Sequence, residues 1–270
     1  MNSLAAMPRT KPVAMISGGA SGIGLALAQF LAKRKFHVIV ADIDQANLDQ
    51  CQATFAQDES VEPVQLDVTD AVAVQASVTN IRAVHGRLDY LFNNAGVGGT
   101  LDVRQATMAH WRRIVDLNLM GVVHGVQAAY PLMIEQRSGH IVNTASISGL
   151  IPWPGQTLYN TTKYAVVGLS HTLRAEAARF GVKVSVICPG PVQSAIWSTP
   201  ILGSRAGTGI VPANAISASE AAAIIWRGLQ ANKATIIFPR QSRIAALLYR
   251  LHPGLLEGRF SRHLRRALPG

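Results

Sequence analysis

Three side chains that could transfer protons lie close together in the sequence between Ser146 and Lys163. Tyr159 and Lys163 are four positions apart, so on a helix they share one face. An ammonium group held against a phenol favours the phenolate and lowers the phenol pKa from its ordinary value of about 10. Such a phenol can act as the general acid or base that interconverts an alcohol and a ketone. An ordinary surface helix with an unrelated Tyr and Lys is the alternative, and neighbouring motifs must decide between the two.

Two further polar residues could complete such a site. Ser146 ends the apolar run HIVNTAS, a predicted buried strand, and from there its hydroxyl could hold a carbonyl oxygen beside the phenol. Asn118 lies at the centre of a helix predicted over Thr107–Gln136, between apolar neighbours. An amide buried at that point needs hydrogen-bond partners. It either satisfies them within the core or positions a water molecule beside Lys163.

A glycine-rich turn near the N-terminus has the pattern of a nucleotide-binding element. The apolar run Val13–Ser17 predicts a strand, SGGASGIG follows it, and a segment with helical periodicity comes next. In that order the free N–H groups of the helix can hold phosphates. Gly18 permits the tight turn, Gly22 lets the backbone approach a pyrophosphate, and Gly24 allows close packing of the helix. The spacing is G-x-x-x-G-x-G, and a purely structural turn is the alternative interpretation.

The next predicted strand, His37–Asp42, ends in an acid where a nucleotide-binding unit places its ribose-binding carboxylate. Asp42 could accept hydrogen bonds from the adenosine ribose and would repel a 2′-phosphate. The glycine turn has no Arg or Lys to neutralise that phosphate. The sequence therefore favours NAD over NADP. Asp42 could also cap the helix predicted over Gln45–Gln57, and both roles can coexist.

Composition agrees with one α/β domain. The 270 residues, 49% apolar content and 23 glycines fit a buried parallel sheet with tight turns. Further strands are predicted at Glu62–Val68, Leu88–Phe92, Lys183–Gly190 and Ala234–Pro239, and a further helix at Ser217–Ala231. Between the last helix and the strand before it lies a long segment without periodicity, 191–217, of the kind that forms a lid or a binding element.

Charge and cysteine content limit the classes of function. The net charge is +10, but nine Lys or Arg residues and one acid lie from residue 227 onward, so the body is nearly neutral. Nucleic-acid binding therefore does not follow from the charge. Two cysteines form no disulfide framework and favour a reducing, cytoplasmic location. The first residues lack the apolar core of a signal peptide, and no run has the length of a membrane span.

The motifs together resemble the short-chain dehydrogenase/reductase family, over about residues 12–239. The matching elements are SGGASGIG, Asp42, LDV with Asp67, NNAG, Asn118, Ser146, Tyr159 with Lys163, and Pro189-Gly190, in the order and spacing of that family. Ser17 stands where a threonine is commoner and keeps the hydroxyl. The resemblance implies one Rossmann-like, doubly wound α/β domain with about seven parallel strands between helices. It also implies a homodimer or homotetramer and an NAD(P)-dependent enzyme acting on CH–OH groups.

The resemblance further implies residue roles. Tyr159 is the acid/base, Lys163 lowers its pKa and binds the nicotinamide ribose, Ser146 orients the substrate oxygen, and Asn118 holds a water in a proton relay. Implied cofactor contacts, together with Tyr159 and Lys163, are Gly18, Ser21, Gly22, Ile23, Gly24, Asp42, Ile43, Asp67, Val68, Asn94, Ala95, Gly96, Pro189, Gly190, Val192 and Ser194. No metal is expected.

Apolar residues around the catalytic stretch suggest a hydrophobic secondary alcohol or ketone as the substrate. Ile147, Trp153 and Trp197, with Ser146 and Tyr159, are the predicted pocket, and no cluster of Arg or Lys stands there to bind an anion. These apolar side chains could instead pack the core or an oligomer interface. We divide the chain into an extension at 1–11, a catalytic domain at 12–240 with a substrate loop at 192–216, and a basic extension at 241–270.

The basic extension leaves alternatives open. Within 255–268, Leu256, Phe260 and Leu264 recur every four positions among arginines, as in a short amphipathic helix. It could lie on an anionic membrane surface or pack against its own or a neighbouring subunit. A non-catalytic NAD-binding redox sensor or scaffold is the alternative function. The complete set of proton-transfer residues argues against it.

Overall fold

The computed structural model describes residues 11–99, 101–197, 211–254 and 258. Its strands are β1 (Val13–Ser17), β2 (His37–Asp42), β3 (Val61–Gln65), β4 (Tyr90–Asn93), β5 (Gly139–Thr144), β6 (Val182–Pro189) and β7 (Thr235–Phe238). Its helices are α1 (Gly22–Ala32), α2 (Gln45–Thr54), α3 (Ala71–His85), α4 (Met108–Val115), α5 (Gly121–Gln136), α6 (Thr157–Ala177), α7 (Ala218–Gln230) and α8 (Arg240–Leu251).

The strands form one parallel sheet in the order β3-β2-β1-β4-β5-β6-β7. This confirms the predicted seven-stranded, doubly wound α/β fold. The chain runs outward from β1 to β3 and then resumes on the other side of β1 with β4. Loops after β1 and β4 therefore diverge, and the crevice between them is where open parallel sheets bind ligands.

Successive side chains of each strand point to opposite faces of the sheet, so the core has two parts, one on each face. Met15 and Ile39 belong to the core packed under α3, α5 and α6, whereas Ile16 and Val40 belong to the core packed under α1 and α7. All four side chains are almost completely buried. Strands covered on both faces are nearly continuous apolar runs, as the sequence shows for β1 and β2.

Three local expectations need correction. Asp44, not Asp42, caps α2, because its carboxylate accepts a hydrogen bond from the N–H of Asn47. Strand β3 ends at Gln65, and Asp67 lies beyond it in a turn, where its carboxylate accepts from the N–H of Thr69. The helix expected over Thr107–Gln136 begins one residue later and contains a π-turn at Asp116–Met120.

By length and composition, the same helical run is long and apolar enough to cross a membrane. In its most apolar stretch, however, 50% of the residues are buried inside the domain. Those buried residues include Val122, Ala129 and Met133, which pack against α3 and the sheet. A helix in the core of an α/β domain satisfies the same criteria without a membrane.

Only part of the basic extension is described. Helix α8 buries Ser242 and Ala246, while Ile244, Leu247, Leu248 and Leu251 are exposed. The amphipathic helix expected at 255–268 lies outside the described residues, apart from Gly258. Most of the predicted substrate loop, residues 198–210, also lies outside them.

Candidate active site

A cleft of about 1880 Å³ opens at the carboxyl ends of the strands, over the crevice between β1 and β4. Nearly every predicted site residue lines it. The lining includes Gly18, Ser21, Gly22, Ile23, Asp42, Ile43, Asp67, Val68, Asn94, Ala95, Gly96, Ser146, Ile147, Trp153, Tyr159, Lys163, Pro189, Gly190, Val192, Ser194 and Trp197. Gly24 and Asn118 are the exceptions, and both lie behind the wall of the cleft.

The glycine turn is held tightly against the end of β4. Gly18 has a φ of +61°, and a Cβ there would lie 2.8 Å from the Cα of Ala95. Only glycine combines that backbone conformation with so close an approach. A Cβ on Gly24 would lie 2.0 Å from the carbonyl oxygen of Gly18, so this glycine lets α1 begin directly against the turn.

The hydroxyl of Ser17 joins the same two loops. It accepts hydrogen bonds from the N–H groups of Asn94 at 3.0 Å and Ala95 at 3.2 Å, and it donates to the carbonyl oxygen of Phe92 at 3.3 Å. The side-chain amide of Asn94 in turn donates to the carbonyl oxygens of Ser17 and Gly18. These bonds join the loops after β1 and β4 and fix the backbone at the floor of the cleft.

Asp42 presents its carboxylate beside the glycine turn. One oxygen accepts from the N–H of Ala20 at 3.1 Å, and the other accepts from the N–H of Asp44 at 3.2 Å. The residue is 9% exposed, and its exposed part faces the cleft. Two backbone donors thus fix the carboxylate at the position that the sequence predicts for a ribose-binding group. Among the described residues that line the cleft, the basic side chains are Arg113 and Lys163.

Tyr159 and Lys163 lie one turn apart on α6, and Ser146 faces them from the end of β5. The Lys163 ammonium donates to the carbonyl oxygen of Thr144 at 3.0 Å and lies 5.6 Å from the centroid of the Tyr159 ring. Strand β5 ends at Thr144, so Ser146 is not in the strand as expected. Its hydroxyl instead accepts from the N–H of Ser148 and begins a short 3₁₀ turn.

Burial is the main influence on the pKa values of Tyr159 and Lys163. Burial raises the pKa of the Tyr159 phenol, and a hydrogen bond with Ser146 only partly offsets that rise. The pKa of Lys163 falls to about 8, because removal of the ammonium from water disfavours its charge. In the protein by itself, the pKa of Tyr159 therefore lies above its ordinary value, and removal of the phenolate from water is the main cause. The lowering of this pKa by Lys163 stays a prediction.

Asn118 is completely buried in the π-turn between α4 and α5. Its side-chain oxygen accepts from the N–H of Val97 at 2.9 Å, and its side-chain nitrogen donates to the carbonyl oxygen of Val97 at 3.0 Å. The amide thus pairs with the backbone of the loop after β4, as a satisfied core asparagine does. A Cβ on Gly96 would lie 3.0 Å from the Asn118 oxygen and 3.5 Å from the Lys163 nitrogen, so glycine lets all three approach.

Comparison with known proteins agrees with this geometry. The sequence profile described as short chain dehydrogenase matches residues 12–200. The chain belongs to the short-chain dehydrogenase/reductase family. An uncharacterised oxidoreductase of Staphylococcus aureus strain MW2 is 36% identical to it over 187 residues, which cover 69% of this chain and 80% of that protein.

Solved structures of the family share its architecture. A short-chain dehydrogenase/reductase from Burkholderia phymatum, in complex with NAD, aligns with a TM-score of 0.83 at 28% identity and covers 93% of this chain and 97% of that one. A short-chain dehydrogenase from Sphingobium yanoikuyae, in complex with NADPH, aligns with a TM-score of 0.76 at 26% identity, over 93% and 95% of the two chains. This chain is accordingly an oxidoreductase that acts on CH–OH groups.

Several residues of this short-chain dehydrogenase contribute to the site without a sequence signal of their own. Thr144 holds Lys163 through its carbonyl oxygen, which any residue could supply. Gln156 accepts from the hydroxyl of Ser148 and lines the cleft. Asp102, Arg113 and Asp116 add charges to the lining. Spacing could not reveal them, because they reach the cleft from separate strands, loops and helices.

The apolar side of the cleft has a defined wall. The indole N–H of Trp197 donates to the carbonyl oxygen of Val192 at 2.7 Å, which anchors the start of the predicted substrate loop. Trp153 lines the cleft and is 40% exposed, so a large apolar surface is available to a ligand. Both tryptophans therefore lie at the predicted pocket.

Proposed function

We propose that this enzyme interconverts a hydrophobic secondary alcohol and its ketone with NAD as the hydride carrier. The observation that carries the proposal is the arrangement of one cleft: Asp42 lies on its nucleotide side, and Ser146, Tyr159 and Lys163 lie together on the other. A dinucleotide bound along the glycine turn would reach from the first group to the second. Pro189, Gly190, Val192 and Ser194 line the same end and support the implied contacts with the nicotinamide amide.

Under this proposal, Ser146, Tyr159 and Lys163 each have a separate role in the reaction. Ser146 and Tyr159 are the groups that would hold the substrate oxygen, and Tyr159 would take the hydroxyl proton in the oxidative direction and return it in reduction. Lys163 is held by Thr144 and would fix the ribose beside them. The oxidised nicotinamide supplies the hydride acceptor and a positive charge that favours the phenolate. That charge would oppose the effect of burial on the Tyr159 pKa.

The choice of NAD over NADP rests on Asp42. A carboxylate fixed by the N–H groups of Ala20 and Asp44 can accept from ribose hydroxyls, and it would repel a 2′-phosphate. Ile43, which follows it, is 61% exposed at the cleft and is suited to cover one face of an adenine. Relatives bind either cofactor, so this preference depends on the residues of this chain.

The substrate class rests on the walls of the cleft. Ile147, Trp153 and Trp197 provide apolar surface near Tyr159. The described lining carries two basic side chains, Arg113 and Lys163, against four acids, Asp42, Asp67, Asp102 and Asp116, so it has no excess of positive charge to bind an anion. A neutral compound with a large apolar body, such as a steroid-like, retinoid-like, aromatic or long-chain alcohol, fits this surface. A substrate panel in which small charged sugars are turned over best would contradict this part of the proposal.

The decisive experiment is the variant Tyr159→Phe. Loss of the acid/base should lower kcat at least ~10²-fold while NAD binding, measured by calorimetry, stays near the wild-type value. Tyr164→Phe is the matched control, because Tyr164 lies on the same helix and is 40% exposed. Turnover of Tyr159→Phe at the wild-type rate would exclude the mechanism. Tight NAD binding with no turnover of any alcohol or ketone by the wild type would favour the redox sensor.

We also propose a homo-oligomer, a dimer or a tetramer, in a reducing compartment such as the cytoplasm. The exposed apolar residues of α8 support association, and the two buried, unpaired thiols support the compartment. Burial raises the pKa of Cys188 to about 12, so that thiol is inert. Sedimentation equilibrium would show a monomer if the proposal of a homo-oligomer is wrong.

Contact of the basic extension with anionic membranes stays a prediction, which a vesicle-binding assay at low salt can refute.

A further inference from the structure

Two histidines and a glutamate meet at the edge of the sheet opposite the cleft. His37 is the first residue of β2, Glu62 lies in β3, and His85 is the last residue of α3. The Nε2 atom of His37 lies 2.6 Å from Oε1 of Glu62, and the Nε2 atom of His85 lies 3.5 Å from the same oxygen. Among the residues that the structure describes, these three side chains form the one group of His, Cys, Asp or Glu residues close enough together to hold a metal ion.

The cluster is separate from the catalytic cleft. His37 and Asp42 are at opposite ends of β2, and five steps along a strand span about 17 Å. The described residues that line the cleft include no histidine or cysteine. Any ligand of this cluster would therefore be independent of the nicotinamide site, and the proposed function makes no use of it.

The three ligand atoms are nearly arranged as a metal would need them. All lie within 4.8 Å of one another, and the two imidazole rings are 4.2 Å apart between centroids. Zinc with bonds of about 2.0 Å in tetrahedral geometry separates its ligand atoms by about 3.3 Å. The observed separations of 2.6 and 3.5 Å lie on either side of that value. Small side-chain rotations would bring the three atoms onto one ion.

Burial and charge also favour a cation. The side chains of His37 and His85 are 20% and 13% exposed, so their rings are held in place, whereas Glu62 at 44% leaves an entry path. Asp58, whose carboxylate is hydrogen-bonded to Ser60, lies close enough to His37 for their charges to interact, and Lys11 acts on the same carboxylate. Arg82, one turn before His85, is paired with Glu135 at 2.7 Å and is directed to another partner.

We propose that His37, Glu62 and His85 bind one zinc ion and thereby link β2, β3 and α3. Two imidazole nitrogens and one carboxylate oxygen are ligands that Zn²⁺ takes in proteins, with a fourth position left for water. Mg²⁺ prefers oxygen ligands and should not bind. The bound ion would hold the edge strand β3 to the sheet and to α3, so its expected effect is on stability and not on hydride transfer.

The experiment uses tag-free, full-length protein and inorganic zinc. Calorimetry should give one site in the wild type, and zinc at about 100 times its Kd should raise Tm by about 5–10 °C. Mg²⁺ at the same concentration should leave Tm unchanged. Co²⁺ in place of zinc should produce a visible absorption band from a four-coordinate site with nitrogen ligands. A wild-type protein whose Tm ignores zinc would overturn the proposal.

Variants assign the ligands. His85→Gln and Glu62→Gln should each lower zinc affinity at least about tenfold and abolish the cobalt band. His171→Gln is the control, because His171 lies on α6, where its ring is hydrogen-bonded to Thr235. If His171→Gln weakens binding as much as His85→Gln does, zinc binds elsewhere. Turnover without added metal should be the same in all three variants, which separates this site from the catalytic one.

Discussion

Asp42 and Asp44 are two acids, separated by Ile43, whose roles differ because of what holds them. Asp44 caps α2 and is not among the described residues that line the cleft, whereas Asp42 lines it and is fixed by the N–H of Ala20 at the glycine turn. A negative charge held at that point repels a ribose 2′-phosphate and can accept from free hydroxyls. Under the proposed function, the preference for NAD over NADP would depend on this one carboxylate.

The variant Asp42→Asn should shift preference toward NADP. The amide keeps one of the two oxygens that accept from the N–H groups of Ala20 and Asp44, and it removes the charge. The ratio of kcat/KM for NADP to that for NAD should therefore rise at least about tenfold, which corresponds to ~1.4 kcal/mol. Asp44→Asn is the matched control, because asparagine caps a helix as well as aspartate does. An unchanged ratio in Asp42→Asn would mean that other groups select the cofactor.

Lys163 illustrates the cost in stability of placing a charged side chain in the core. Its folded pKa of about 8 is lower than the ordinary value of 10.5, so the folded state binds its proton less well than the unfolded chain does. The charge therefore destabilises the fold fully below pH 8. That destabilisation disappears as the pH rises from 8 to 10.5.

Lys163→Met should abolish most turnover yet stabilise the protein. Loss of the buried charge should raise the free energy of unfolding by about 3 kcal/mol at pH 7, and loss of the hydrogen bond to Thr144 should lower it by about 1 kcal/mol. Denaturant unfolding should therefore show a gain of about 2 kcal/mol that shrinks between pH 8 and 10.5. The control Lys183→Met removes an exposed lysine and should show no such dependence on pH. A less stable Lys163→Met protein would contradict the argument.

At the scale of elements, the cleft depends on how the ends of β1 and β4 are joined. Ser17 ends β1 and reaches the backbone beyond β4, so one hydroxyl positions the loop that contains Asn94, Ala95 and Gly96. The π-turn around Asn118 holds the same loop from its other side, through Val97. Insertion of such a turn into a helix is a frequent device at functional sites.

Ser17→Ala should weaken cofactor binding, whereas Ser17→Thr should not. Alanine leaves two N–H groups beyond β4 without their acceptor, at about 1–3 kcal/mol, and the loop that lines the cleft should loosen. Threonine keeps the hydroxyl and is the matched control. Calorimetry with NAD should show a higher Kd for the alanine variant, together with a lower Tm. Equal Kd values for the two variants would show that the loop is positioned by other contacts.

At the scale of the whole molecule, a buried histidine ties the later strands together. His140 in β5 is 3% exposed, and its Nε2 lies 2.9 Å from the hydroxyl of Ser185 in β6. That hydroxyl donates to the carbonyl oxygen of Lys233, so it must accept from an Nε2–H of the imidazole. Burial, with Lys183 and Arg174 nearby, lowers the His140 pKa to about 3.

The free energy of unfolding should therefore fall on the acid side. The folded pKa of about 3 lies below the ordinary value of 6.5, so the stability is full above pH 6.5 and is lost as the pH falls toward 3. The slope contributed by one such group is about 1.4 kcal/mol per pH unit, or about 2 kcal/mol at pH 5. His140→Gln should flatten the curve by that amount, and His252→Gln, which alters an exposed ring, should not. Parallel curves for the wild type and His140→Gln would refute the prediction.

The order of motifs along the chain was sufficient to predict the fold and to place most of the candidate site. Apolar runs such as Val13–Ser17 and His37–Asp42 are buried on both faces, and a nearly continuous apolar run without alternation is typical of a strand in a parallel sheet. Because parallel strands end at one edge of a sheet, residues at the carboxyl ends of separate strands must converge. That rule brought Asp42, Asn94, Ser146 and Pro189 to one cleft.

Sequence by itself thus determined the α/β fold and most of the side chains that line the cleft, since buried apolar runs and strand ends suffice for both. The oxidoreductase class followed from the resemblance of the ordered motifs to a known family. Tertiary structure alone decided the rest. Whether Lys163 lowers the Tyr159 pKa depends on desolvation, which no spacing reveals. The meeting of His37, Glu62 and His85 depends on β3 lying beside β2 and on where α3 ends. Contacts between residues so far apart in the chain follow from packing in three dimensions, and no local pattern encodes them.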